Sequence, residues 1–371
     1  MRRGGERAGN SGQNTPPGPR GWAGAPAGPY FAGLFLRTVS VSEPYSIFEA
    51  GASGAAPAVW APGPGPRPAA PRRPLAFESL LFLQLAHQAL QPPAGPVLSF
   101  YLEDGGQTVA QLHAVADPAT GQARSPGQAP FGGAQLAPGL GMGAVHALFG
   151  AAEAALRGLG QQQLAVRGYP FCYDPAGAAA LAGALHQRGY RVALAEQNYH
   201  LDLARDYAAG LHPSERRRLH KCARHGLVVE QEHRWFLPRA HAFLSACRQE
   251  RGQAPPLPLA RLEALFEAFP NDYFLFSVRV PSGEWAALTV AVRVSEAVLY
   301  NFCPASPLSQ NALSPVVLLN EGLHAFARAS GMAVLDLGTS TLPAGPNASL
   351  LRFKRHLGAT AGLRLSWKKD L

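Results

Sequence analysis

Lys354 stands in Ala348–Gly358, ASLLRFKRHLG, where apolar residues fall at helical spacing and a glycine sits where a helix would end. On a wheel of about 100° per residue with Leu350 at zero, Leu357 lands near 340° and Phe353 near 300°, so these three form the inward stripe. Lys354 falls at about 40°, beside Leu350, whereas Arg352, Arg355 and His356 lie between about 140° and 240°, on the solvent side. A cation on the core side of a helix either lays its methylenes on the core and snorkels to water, or faces a substrate. In the second case its ammonium could stabilise a developing oxyanion or hold a phosphate. Asp336, near the end of the apolar run AVLDLG, could accept or orient the proton of a reacting amine, or simply cap a loop.

The strongest cluster of charge is the helix expected at 215–225, ERRRLHKCARH. Arg217, His220, Lys221, Arg224 and His225 share one broad face, with Leu219, Cys222 and Ala223 opposite. Such a face is either solvated or a phosphate-recognition surface carried by Arg217, Lys221 and Arg224. Few aromatics interleave, which argues against a platform for stacking single-stranded bases. GLGMG at 139–143 precedes a helix of small residues and resembles a phosphate-binding loop, but it has no Lys-Ser/Thr and no clean preceding strand, so a turn competes. The four cysteines, Cys172, Cys222, Cys247 and Cys303, form no C-x-x-C, and the histidines form no H-E-x-x-H. Neither a metal site nor a disulfide framework is expected, which agrees with a reducing compartment. A nucleophile elbow, Gly-x-Ser-x-Gly, is absent.

The elements that must position these residues occupy a chain of 371 residues, 47% of them hydrophobic, enough for two ordinary domains. The first 73 residues, rich in Pro, Gly, Ala and Arg, bury too little to order themselves and should be disordered or irregular, apart from one ordered island at 33–50. A net charge of +9 favours anionic partners, although part of it is arginine in that front segment. No apolar run reaches the eighteen or so residues that span a bilayer, so a soluble, cytoplasmic protein is expected. From Leu75 onward the pattern reads as a helix over 74–90, a hairpin across Asp104-Gly105-Gly106, a helix from Met142 to Leu156, then strand, helix and strand to about residue 203. The second half reads as helix, strand, two helices, a three-stranded antiparallel meander, a helix capped by Ser314 with Pro315 at its first position, strand, helix capped by Asn347, and strand.

This order, with SPGQAPFGGAQ at 125–135, ERRRLHKCARHGLVVE at 215–230, the PSGEWAALTVAV turn, and above all LDLGTS followed by NASLLRFKRHLGA, resembles the FemAB-like branch of the GNAT acyltransferase superfamily. The resemblance covers residues from roughly 75 to 371. It implies an α/β (α+β) fold of two tandem GNAT-like units, 74–205 and 206–371, each a mixed, mostly antiparallel sheet flanked by helices. It also implies an N-acyltransferase that takes an acyl or aminoacyl group from acyl-coenzyme A or aminoacyl-tRNA to an amine, as in peptidoglycan or cell-envelope biosynthesis. Members of that branch place a Phe-Lys pair of the last helix at the reaction centre, a pair matched by Phe353 and Lys354; Asp336 is expected beside it, and Ser340 and Asn347 are expected to bind substrate or its phosphate. The partners implied are a small-molecule or envelope-precursor amine and tRNA; a peripheral contact with anionic membrane is a further expectation, and DNA is not. The sequence departs from the GNAT pattern before residue 315, where CPASPLSQNALSP replaces the pyrophosphate loop. A non-catalytic GNAT-like module that binds a nucleotide or a partner is the competing expectation.

Overall fold

The computed structural model describes residues 57–92, 95–342 and 345–371, so the island expected at 33–50 lies outside the described residues. The Pro-rich stretch 57–73 is irregular, as expected, but tied down. Its short strand β1 (Ala58–Trp60) pairs with β2 (Val97–Asp104), and Gly65 exchanges two backbone hydrogen bonds with Val97, at 3.1 and 2.7 Å. A sheet edge presents unpaired donors and acceptors, and even a proline-rich segment can satisfy some of them where its own N–H groups allow.

The stretch 74–90, which reads as one helix, is a correction. Leu80, Leu81, Phe82 and Leu83 are all buried, which an amphipathic helix on a sheet cannot achieve for four consecutive residues. The chain instead makes a single 3-10 turn at Leu81–Leu83 and a short α1 (Leu85–Ala89), anchored where the Leu80 N–H donates to Gln135 Oε1 at 3.0 Å. β3 (Gln107–Asp117) follows β2 across Gly105 and Gly106, whose φ values of 55° and 82° suit the twist of a two-residue hairpin. The first half continues with β4 (Gln122–Ser125), β5 (Ala134–Leu136), α2 (Met142–Gly158), β6 (Gln163–Arg167), α3 (Pro175–Gln187) and β7 (Arg191–Asp202). Val145, Leu148, Phe149, Ala152 and Leu156 give α2 a buried face at helical spacing, and Asp174 caps α3 through the Gly177 N–H at 2.9 Å.

The second half runs α4 (Tyr207–Gly210), α5 (Pro213–Arg224), β8 (Val228–Glu232), α6 (Leu237–Gln249), α7 (Leu259–Ala268), β9 (Tyr273–Arg279), β10 (Trp285–Ser295), β11 (Val298–Asn301), α8 (Pro315–Ala329) and β12 (Val334–Thr339). A hairpin of β13 (Thr341–Leu342) and β14 (Gly345–Pro346) leads into α9 (Ala348–His356) and the last strand, β15 (Thr360–Asp370). The expected meander β9–β10–β11 is present and antiparallel. Ser314 holds the N-cap position of α8 but does not cap it: its φ is 53° and its hydroxyl donates to the Asn311 carbonyl at 3.1 Å.

The strands form one mixed sheet in the order β1-β2-β3-β4-β6-β15-β7-β12-β11-β10-β9-β8, with β5 on β3. The halves exchange strands at its centre. β15 enters between β6 and β7, and β7 lies between β15 and β12, all three contacts antiparallel. The chain is therefore a mixed α/β protein with a large sheet flanked by helices.

The exchange requires α9 to stop sharply, and Gly358 makes the stop, with φ of 80° and a site where a Cβ would stand 2.5 Å from the Gly210 carbonyl oxygen. Gly358→Ala should cost about 1–3 kcal/mol, read from urea denaturation. An unchanged midpoint would show that α9 does not depend on this close approach.

Candidate active site

Cross-strand partners share a face of a sheet, and the register at the exchange lines up six polar side chains. Asp336 of β12 lies opposite His200 of β7 and Tyr300 of β11. On β15, Gly362 lies opposite Asn198 and Arg364 opposite Glu196. Asp336, His200, Tyr300, Asn198, Glu196 and Arg364 thus occupy one face of the central strands. Cys172 and Tyr173, from the loop after β6, close over them.

Asp336 is 1% exposed and accepts three hydrogen bonds. Oδ1 takes the Asn198 Nδ2 donor at 2.8 Å and the Gly338 N–H at 2.7 Å, and Oδ2 takes the Tyr173 hydroxyl at 2.7 Å. A carboxylate has about four acceptor positions, so roughly one remains for a further donor. Gly338 can turn back onto Asp336 because its φ is 71° and the Tyr300 ring fills the space a Cβ would need. Burial, then the Asp336 charge, push the Tyr173 phenol well above its ordinary value, so it stays a donor. The same two causes raise the Cys172 thiol, which removes it as a thiolate nucleophile at neutral pH.

Lys354 does not snorkel. It is 5% exposed and is the one buried residue of α9; its Nζ donates to the Gly338 carbonyl at 2.8 Å and the Thr339 carbonyl at 2.9 Å. Leu350, expected on the inward stripe, is 36% exposed, and Phe353 packs half-buried against an apolar cluster that includes Leu337 and Leu357. Three apolar positions on a nine-residue helix do not determine its rotation, and here Lys354 and Leu357 take the centre of the inward face. Burial pushes the ammonium down to about 8; Asp336 pulls it back up and Arg364 pushes it further down. A protonated lysine has three N–H donors and a neutral one two. Two are committed to carbonyls, so the charged form keeps one donor for a substrate oxygen.

Three polar atoms around this pair are buried without a partner among the described residues: Asn198 Oδ1, His200 Nδ1 and Ser340 Oγ. Such atoms mark places where a polar ligand or ordered water belongs. Arg364, whose side chain is 13% exposed, donates twice to Glu196 Oε2, at 3.0 and 2.6 Å.

Of the residues singled out in the sequence, the structure brings Asp336 and Lys354 together through Gly338, and Ser340 follows directly on Thr339, whose carbonyl Lys354 also uses. Asn347 is the cap of α9, accepting from the Leu350 N–H at 3.1 Å. Arg217 and Arg224 are exposed on α5, and Lys221 ties that helix to the Ala312 carbonyl at 2.8 Å. No hydrogen bond or ion pair among the described residues joins these three cations to Asp336 or Lys354. The inner side of α5 also differs from expectation: Ala223 is exposed, and Glu215 is buried beneath Arg218 at 2.8 Å. Tyr173, Asn198, His200, Glu196, Tyr300 and Arg364 were missed. The alternation Glu196, Asn198, His200 on β7 was the available signal, but it points to a site only once β7 is known to pair with β12.

The segment before α8, where a GNAT protein carries its pyrophosphate loop, offers no run of glycine N–H groups. Pro315 has no N–H, and the Leu313 and Ser314 N–H groups already donate to the Gln310 carbonyl, at 3.0 and 3.1 Å. Pyrophosphate therefore does not fit there. Among the described residues no group of three or more His, Cys, Asp or Glu is placed to hold a metal ion, and no helix is long and apolar enough to cross a membrane.

No protein-family profile and no curated protein sequence matches the chain. Among solved structures it is similar to the crystal structure of FemX, with 11% identity, a TM-score of 0.61, and coverage of 78% of this chain and 92% of that one. It is also similar to a tandem GNAT protein from the clavulanic acid biosynthesis pathway, with 16% identity, 76% and 84% coverage and a TM-score of 0.46. L-PGS from Bacillus licheniformis gives 10%, 70%, 81% and 0.49 in the same terms. At 11% identity the likeness to FemX is one of fold.

The lowered Lys354 value makes stability depend on pH in a defined direction. Below about 8 the buried ammonium carries its full desolvation cost; between about 8 and 10.5, the ordinary value, the folded chain sheds the proton first and the cost is relieved. The stability of the wild type relative to Lys354→Met should therefore rise with pH across that window, by at most ~1.4 kcal/mol per pH unit. Urea denaturation of both proteins at pH 7 and pH 10 measures it, and a flat difference would contradict the buried charge.

Proposed function

We propose that this chain transfers an acyl or aminoacyl group from an activated donor to an amine, with Lys354 and Asp336 at the reaction centre. The observation that supports this most strongly is a buried ammonium with one uncommitted donor, beside a carboxylate that three donors hold in place. An activated ester or thioester needs little chemical assistance, so the rate comes from holding the amine against the carbonyl and from a donor aimed at the developing oxyanion. Asp336 accepts a hydrogen bond from the attacking amine and orients its lone pair. The third N–H of Lys354 meets the oxygen that gains charge as the C–N bond forms. The oxyanion then collapses, the donor's oxygen or sulfur leaves, and the amine's surplus proton passes to Asp336 or to solvent. Phe353 flanks the site from the same helix.

The acceptor is an amine on a small molecule or cell-envelope precursor, and the donor is an acyl-coenzyme A or an aminoacyl-tRNA. The altered segment before α8 weighs against coenzyme A bound in the usual GNAT manner. With whichever donor supports turnover, Lys354→Gln should lower kcat about 10²–10³-fold, as removal of one oxyanion donor does. The wild-type rate should fall as pH rises through about 8, where Lys354 loses its charge. Full turnover by Lys354→Gln would remove Lys354 as the oxyanion donor, and absence of turnover by the wild type with every donor and amine tried would favour a module that binds without catalysis.

A further inference from the structure

The face that carries Asp336 continues across β15, β6 and β4, and there it is basic. Arg124 of β4 lies beside Ala165 of β6; Ala165 lies opposite Lys368, and Arg167 opposite Ser366, both on β15. Further along β15, Arg364 lies opposite Glu196, and Lys368 opposite Arg191. Shared-face register therefore puts Arg124, Arg167, Lys368, Arg364 and Arg191 on one surface. The opposite face is the one that packs on α2 and α3, through Val166, Leu365 and Trp367.

Charge on this surface is not balanced. Glu196 holds Arg364 at 2.6 Å and Asp370 holds Arg191 at 2.9 Å. Arg124 donates to the neutral Gln122 at 3.0 Å, and Asp117 of β3, on the same face, is its nearby carboxylate. Arg167 and Lys368 make no side-chain hydrogen bond or ion pair with any described residue, and all three are exposed. The packing around the inner part of the Arg167 side chain and the charge of Arg364 disfavour its cation, and Glu196 offsets part of this, so an anion placed there would relieve it.

We infer that Arg124, Arg167 and Lys368 form a binding surface for the phosphate groups of a small phosphorylated substrate, which then reaches along β15 toward Asp336. This rests on the reading of Asp336 and Lys354 as the reaction centre. Strands lie about 4.8 Å apart, so Arg124 and Lys368 are about 10 Å apart; Ser366, level with Arg167, stands six residues along β15 from Thr360, which is level with His200 and so with Asp336, about 20 Å at about 3.3 Å per residue, so the substrate is an extended one that carries its phosphates at one end. No aromatic side chain stands among these positions, as base stacking or insertion into a bilayer would require. Surface continuity favours this site over α5, whose cations have no recorded link to Asp336.

Isothermal titration of the full chain with inorganic tripolyphosphate at low salt tests the inference. One site is expected. Arg167→Gln should weaken it about tenfold and Arg167→Gln with Lys368→Gln about a hundredfold, at about 1.4 kcal/mol per tenfold. Arg167→Lys should keep most of the affinity, and Arg205→Gln, a distant exposed control, all of it. Unchanged affinity in the double variant would overturn the inference, as would loss caused instead by Arg217→Gln with Arg224→Gln. Tighter binding of a single-stranded RNA oligomer or of phosphatidylglycerol vesicles, lost with the same Arg167 and Lys368 substitutions, would replace the small substrate with that partner. The readout is binding, so retained turnover in Lys354→Gln would sink the placing of the reaction centre at Lys354 while leaving this result standing.

Discussion

An ammonium taken out of water must find oxygen acceptors or give up its proton, and much of this structure can be understood as the set of elements that provide them for Lys354. Its acceptors are two consecutive backbone carbonyls, Gly338 and Thr339, at the end of β12. Those carbonyls are available because the chain reverses at Gly338, whose N–H meanwhile folds back to Asp336. One glycine with φ of 71° therefore serves both members of the proposed catalytic pair. The carbonyls are neutral acceptors, so the charge on Lys354 is solvated without being cancelled, and burial can pull its value down to about 8. A direct ion pair would have held the lysine charged but left less of it for a substrate.

Asp336 depends in turn on residues distant in sequence. Tyr173 reaches it from 163 positions away and Asn198 from 138; the Asn198 contact exists because β7 leaves its own half of the sheet to lie against β12, and the Tyr173 contact because the loop after β6 is tied to β15, where the Phe171 N–H donates to the Leu363 carbonyl at 2.9 Å. The reciprocal insertion of β15 beside β6 brings Arg364 to the same face and extends that face into the basic surface around Arg167. Strand exchange and site formation are thus a single geometric event: the sheet cannot be divided at its centre without separating Asp336 from its donors.

Local patterns made most elements legible. The Gly105-Gly106 hairpin, the meander, the α8 and α9 helices and the small-residue helix α2 all follow from turn chemistry and periodicity, and the helix expected over 74–90 failed because its core residues are apolar on every side. Lys354 and Asp336 were visible as residues out of place, a cation on an inward helix face and an acid in an apolar strand. Their partners were not. Strand alternation shows that Glu196, Asn198 and His200 share a face, but only long-range pairing says what that face meets. The same limit drew attention to α5, where adjacent arginines are conspicuous in sequence, and away from Arg124, Arg167 and Lys368, which are ordinary residues until three strands align them.

The most direct test of this account is the titration of Lys354 itself, followed by NMR in protein carrying labelled lysine side chains and assigned with Lys354→Met. A midpoint near 8 in the wild type, moving lower in Asp336→Asn as the carboxylate's support is removed, is the predicted result. A midpoint near the ordinary 10.5, indifferent to Asp336, would mean that the ammonium is solvated, and the reaction centre described here would have to be abandoned.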